Sequence, residues 1–242
     1  MLSFHYMYQF FRIRRTLIVA KRRFFVKEET MKLIALLLTT IIGSWIPASA
    51  FPDADCVGSL KTLRAVLALD CSGSVDDYEW AITITFAKSF IEMLFDEAPE
   101  TKVAIEFFSD RDTLILDFTD DRDEVLAALD TRRCSGGTLF PEKLQSLFDS
   151  LEPDTTKMLL LCTDGHVNNI ELAGPLKDSG VTIFTAGIGS DVSVDSLESI
   201  CSQPPAVFNQ VIPSYQELPI AVETLIHKLT AVAVRYAKCN RQ

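Results

Sequence analysis

LRAVLALDCSGSV, residues 63–75, is an apolar run that stops on an acid and continues with serines at alternate positions. Leu63–Leu69 is short enough for a buried strand, and the small residues behind it suit a tight turn. A strand that ends this way delivers polar atoms to one edge of a sheet. The next stretch changes period. Over Val75–Phe95 the residues Ile82, Phe86, Phe90 and Met93 recur on one helical face.

Strand and helix patterns keep alternating from there. Val103–Phe108 and Thr113–Phe118 are strands separated by Ser-Asp-Arg-Asp, a polar turn that predicts a hairpin. Asp121–Leu129 and Pro141–Leu151 read as helices, and Lys157–Thr163 (KMLLLCT) is the most apolar strand. A helix at Asn169–Asp178, a strand at Val181–Ile188, a helix near Val194–Ile200 and a short strand around Val207 follow. Ser214-x-x-Glu217 has the pattern of a capping box, with Pro219 setting the regular start of the last helix near Leu218 and its end near Tyr236. The expected fold is α/β: a doubly wound, mostly parallel six-stranded sheet, one antiparallel edge strand from the hairpin, and helices on both faces. No internal repeat or low-complexity segment interrupts it.

The chain has 242 residues, 48% of them hydrophobic, enough for one domain with an ample core. Residues 31–50, MKLIALLLTTIIGSWIPASA, differ in kind: a basic start, an apolar stretch and the small residues Ala48-Ser49-Ala50. This is the pattern of a secretory signal peptide cut after Ala50. The apolar stretch of about 14 residues is shorter than the roughly 20 of a spanning helix, although a retained signal anchor is the other reading. Residues 1–30, basic and aromatic (FFRIRR, KRRFF), fit poorly ahead of such a peptide. The expectation is that Met31 is the working start; the other reading makes them a basic cytosolic tail. Residues 51–62 form a lead-in, 63–238 the domain and 239–242 a tail.

Fifteen of the 23 Lys+Arg and 31 of the 33 Asp+Glu lie after residue 50, a net charge of −16. That balance argues against nucleic acid or an anionic membrane as partner, since both need a basic footprint. There is no Asn-x-Ser/Thr sequon. A secreted, extracellular module without stable membrane insertion after signal cleavage is expected.

In open α/β sheets, ligands sit beyond the carboxyl ends of the strands, where the strand order reverses. Asp70, Ser72 and Ser74 follow the first strand, Asp164 ends the KMLLLCT strand within TDG, and CSGGT offers Thr138 ahead of a helix. Two carboxylates and three hydroxyls are hard donors that suit Mg²⁺, and also Mn²⁺ or Ca²⁺, better than zinc or copper.

The order and spacing of Asp70-x-Ser72-x-Ser74, Thr138 after Gly136-Gly137, and Asp164 between Thr163 and Gly165 resemble the metal-ion-dependent adhesion site of the von Willebrand factor A family. The same site occurs in integrin inserted domains. The resemblance extends over roughly residues 63–238. It implies a metal on the upper edge of the sheet, bound directly by Ser72, Ser74 and Thr138, with Asp70 and Asp164 acting through water or hydrogen bonds. An ion with few direct carboxylates keeps much of its charge and attracts an Asp or Glu from a partner protein into its open position. Gly137, Gly165 and His166 would rim that position.

Other residues carry weaker signals. Val75-Asp76-Asp77 puts acids in a first helical turn, where they complement the helix dipole. His227 falls in the last helix and reads as structural. The serines of SGS lack the Gly-x-Ser-x-Gly pattern of a hydrolase elbow, and no nucleophile–base pair stands out. All six cysteines lie after residue 50, and secretion permits disulfides. Cys71 and Cys134 belong to two loops of the proposed metal edge, and their pairing would pre-set the site; an unpaired Cys71 is the alternative. Cys56, Cys201 and Cys239 belong to the opposite edge, which suggests Cys56–Cys239 or Cys56–Cys201 and leaves Cys162 as a buried thiol.

The expected function is divalent-cation-dependent binding of a protein or matrix ligand that presents Asp or Glu, without catalysis. A structural or oligomerising domain with a silent metal site is the alternative, and a metallohydrolase a lesser one.

Overall fold

The computed structural model describes residues 63–131 and 134–239. Its sheet has six strands: β1 (Leu63–Asp70), β2 (Lys102–Phe108), β3 (Asp112–Thr119), β4 (Thr156–Thr163), β5 (Thr182–Ile188) and β6 (Asn209–Ile212). The order across it is β3-β2-β1-β4-β5-β6. Only β3 runs antiparallel, against β2. The remaining pairs are parallel. From β1 the chain moves outward through β2 and β3, then returns to lay β4 on the other flank of β1. The gap beyond the carboxyl ends of β1 and β4 is therefore the reversal point of the sheet.

Both faces are covered, which is why the central strands read as continuous apolar runs. Leu63, Ala65, Leu67 and Leu69 point into one core, while Val66 and Ala68 point into the other. The first core is closed by α1 (Asp77–Glu97), α2 (Arg122–Ala128) and α7 (Leu218–Cys239), through Phe86, Phe90, Leu94, Val125, Val222 and Leu225. The second is closed by α3 (Leu144–Asp149), α4 (Ala173–Asp178) and α5 (Val194–Ile200), through Leu144, Phe148, Leu176, Leu197 and Ile200. Ile82 and Met93 flank the buried stripe of α1, whose centre is Thr83, Phe86, Ala87, Phe90, Ile91 and Leu94.

Several local expectations need correction. Val207 lies in a one-turn helix, α6 (Pro205–Phe208), and the sixth strand begins only at Asn209. Pro205 at the first helical position favours that turn over a strand. The acids before α1 do more than complement its dipole. Asp76 caps the helix: its Oδ1 accepts from Glu79 N at 2.8 Å, while Glu79 Oε2 accepts from Asp76 N at 2.9 Å. Ser214, in contrast, makes no side-chain cap, because a 3₁₀ turn at Tyr215–Glu217 intervenes before α7. The Pro141 helix is confined to α3, and the Asn169 helix starts as a 3₁₀ turn at Ile170–Leu172 behind a left-handed Asn169. Among the described residues no helix is long and apolar enough to cross a membrane. Residues 1–62 lie outside the described residues, and the signal-peptide and lead-in expectations with them.

Candidate metal centre

Asp70 is the last residue of β1 and is 3% exposed. Its Oδ1 accepts from Ser72 N at 2.8 Å, closing the turn that follows the strand. Its Oδ2 accepts from the Thr163 hydroxyl at 2.6 Å, which ties β1 to the end of β4. Burial pushes this carboxyl above its usual 3.8; the hydrogen bonds from Thr163 and Ser72 pull it back, and the nearby Asp164 charge adds to the rise. A carboxylate in such a place is relieved by a cation close by.

The turn then presents two hydroxyls. Ser72 Oγ, buried, lies 2.9 Å from Ser74 Oγ. Ser74, exposed, donates to Asp164 Oδ1 at 2.9 Å. Three of the five predicted donors thus form one continuous set of oxygens at the reversal point, with Asp70 bracing it from below. Thr163 was not singled out as a site residue, although it stands beside Asp164 in the sequence.

The segment that carries Thr138 is stitched to both neighbours. Gly73 N donates to Gly136 O at 2.8 Å, and Cys71 is joined to Cys134 by a disulfide with Cα atoms 5.2 Å apart. On the other side Thr138 O accepts from Asn168 N at 3.0 Å and from Asn168 Nδ2 at 3.1 Å. Leu139 N donates to Ser109 O at 2.8 Å, so the β2–β3 turn also holds this loop. Thr138 itself is half-buried on the same edge as Asp70 and Asp164. Gly136 adopts φ +131°, and a Cβ there would collide with the Asp110 carboxylate. Gly165 has open space around its Cα and Gly137 only an ordinary contact. The glycine whose conformation this loop requires is Gly136.

His166 is exposed, with Nδ1 3.3 Å from Ser196 Oγ of α5. Cys162 and Cys201 are buried free thiols. This corrects the Cys56–Cys201 pairing: Cys201 caps the carboxyl end of α5 and turns into the apolar core, with Sγ 3.6 Å from Glu198 O. Burial raises the thiols of Cys162 and Cys201, which keeps both protonated. The Cys56–Cys239 pairing falls outside the described residues, since Cys56 does.

Among the described residues no three His, Cys, Asp or Glu side chains gather as a metal cluster. The donor set at the reversal point is instead two carboxylates with serine hydroxyls, which fits a hard dication and leaves thiolate-seeking metals without a ligand.

The von Willebrand factor type A domain family model matches residues 66–224. The collagen alpha-5(VI) chain of Mus musculus is 28% identical over 177 residues, covering 68% of this chain and 6% of that protein. The sushi, von Willebrand factor type A, EGF and pentraxin domain-containing protein 1 of Mus musculus is 27% identical over 184 residues, covering 69% of this chain and 5% of that one. The chain therefore spans only a small fraction of either relative. Among solved structures, proximal thread matrix protein 1 from the mussel byssus with a zinc-occupied MIDAS motif superposes with a TM-score of 0.60. It is 22% identical, over 74% of this chain and 47% of that one, a likeness of fold.

Proposed function

Because the chain belongs to the von Willebrand factor type A domain family, we propose that it is a secreted protein-binding module whose grip on its partner depends on a divalent cation. Ser72, Ser74 and Thr138 would hold the ion directly, while Asp70 and Asp164 hold it through water or hydrogen bonds. Mg²⁺ suits the donor set, with Mn²⁺ or Ca²⁺ as substitutes. When bound, the ion supplies an electrophilic position open to a carboxylate. The partner is a protein or matrix component that presents Asp or Glu.

One observation carries this reading: Ser72 Oγ, Ser74 Oγ and Asp164 Oδ1 follow one another at 2.9 Å steps although they come from two loops. Asp70 serves as their brace, since both of its oxygens already accept protein hydrogen bonds. The Cys71–Cys134 bridge would hold the loops in register before the cation arrives. That the relatives are a collagen chain and a protein named for its sushi, von Willebrand factor type A, EGF and pentraxin domains supports a binding role over catalysis. For residues 31–50 we propose a signal peptide removed after Ala50, with residues 63–238 as the binding domain.

Affinity capture with the mature protein tests the function. Partners eluted by EDTA, recovered with Mg²⁺ or Mn²⁺ and lost in Asp70→Ala support it. Capture that is indifferent to EDTA and to Asp70→Ala would favour a structural or oligomerising domain instead.

A further inference from the structure

Single apolar side chains on a surface are ordinary; several gathered at one edge are not. Among the described residues the large apolar side chains left exposed are Tyr78, Leu114, Val194, Val211 and Ile220. All five lie toward the carboxyl ends of the parallel strands. Tyr78, Val194 and Ile220 stand in the first turns of α1, α5 and α7, Val211 near the end of β6, and Leu114 opposite Glu106 of β2. Tyr78 and Ile220 are the most exposed, at 63% and 77%. Their helices pack side by side, and the 3₁₀ turn that leads into α7 also packs on α1.

The charge of this edge is one-sided. The loops after β1, β4, β5 and β6, with the helix starts beyond them, fall in residues 65–87, 158–176 and 178–227, which hold no Lys or Arg. Their exposed acids include Asp76, Asp191, Asp195 and Glu217. Acids at helix starts complement the helix dipoles. Neither dipole nor core accounts for Tyr78 and Ile220, which stand among these acids and outside both core clusters. Apolar anchors in an acidic surround select a partner by charge as well as by shape. A second copy of this acidic chain would be repelled face to face.

We propose that the first turns of α1 and α7 are the docking surface for a basic protein segment. Aliphatic or aromatic side chains of that segment cover Tyr78 and Ile220, and its Lys or Arg face the surrounding acids. The proposal deepens the cation-dependent reading above and rests on it for the Asp or Glu that the segment brings to the ion. Lys or Arg beside that carboxylate offset its repulsion from the acidic edge.

Arrays of short peptides with a central Glu and varied flanks, probed with the mature protein in Mg²⁺, test it. Selection of Lys or Arg together with Leu, Phe or Trp beside the Glu is expected. Selection of acidic or wholly polar flanks, or of no peptide, would overturn the proposal. For a selected peptide, Tyr78→Ser and Ile220→Ser are each expected to weaken binding about tenfold, the loss of an apolar anchor. Thermal midpoints should not move, since both residues are exposed. Affinity should fall as NaCl rises from about 50 to about 500 mM, and Asp195→Lys with Glu217→Lys should turn the selection away from Lys and Arg. Binding lost in EDTA yet indifferent to both serine variants would overturn the docking surface and keep the cation site. Binding that follows both variants but ignores EDTA would keep the surface and overturn the cation site. A wild-type dimer in sedimentation that Ile220→Ser dissociates would give the surface to a second copy and overturn the proposal.

Discussion

Ser74 Oγ donates to Asp164 Oδ1 over 2.9 Å, across 90 residues of chain. The contact exists because β1 and β4 are adjacent parallel strands whose ends fall at the same height, with Leu69 opposite Cys162. Each loop alone is a polar turn. Side by side they make one connected array of oxygens.

Removing either partner of that contact is expected to weaken Mg²⁺ binding by at least tenfold, since each deletes a hard oxygen from the set. Ser74→Ala and Asp164→Ala both alter exposed or half-buried residues and not the core, so the free energy of unfolding in EDTA should change by only about 1 kcal/mol or less. Calorimetric titration beside urea denaturation separates the two effects.

Acidity should act through Asp70. Its carboxyl titrates above the usual 3.8 in the folded chain, so in that window the native state binds more protons than the unfolded one. The contribution of Asp70 to stability without cation therefore rises as pH falls through the window, and is lost as pH climbs out of it. Protons and cation also compete, so Mg²⁺ affinity should decline on the same acidification. Urea midpoints of wild type and Asp70→Asn compared across pH in EDTA check the sign: the difference should narrow toward acid.

The disulfide closes a loop with a sequence separation of 63. In the chain-entropy picture a loop of this size is worth about 4 kcal/mol. Cys71→Ser with Cys134→Ser should lose roughly 2–4 kcal/mol in urea unfolding. It should also weaken Mg²⁺ binding, because the Thr138 loop then keeps only hydrogen bonds to its neighbours. Non-reducing peptide mapping that finds both residues as free thiols would remove the basis of this expectation.

Gly136 and Gly165 offer a matched pair. Gly136→Ala forces a side chain into a left-handed backbone position and into the Asp110 carboxylate, at a cost of about 1–3 kcal/mol and a displaced Thr138 loop. Gly165→Ala meets open space. Thermal unfolding and Mg²⁺ titration should respond strongly to the first and little to the second.

Much of this was legible because its signals are local in the sequence. Short apolar runs alternating with period-3.6 apolar patterns predict the α/β order, and the antiparallel edge follows from the Ser109–Asp112 turn. The serines after Asp70 and the Asp164 in TDG are visible for the same reason: each stands at the end of a strongly apolar strand. Other features had no local mark. The start of the sixth strand at Asn209 is fixed by its pairing with Thr185, a partner in another element, although Pro205 already marks the turn before it. The sequence marks Asp76 and Asp77 alike as acids at the helix start, and only the backbone path makes Asp76 the cap.

The sequence by itself determined the strand–helix alternation, the oxygen donors and the absence of soft ligands among them, because each is set by residue type and spacing within one segment. Tertiary structure alone decided which segments meet. It placed Thr163 under Asp70 and Asp110 over Gly136. These residues lie far apart along the chain, and their proximity follows from strand order and register, which bring distant strand ends to one edge.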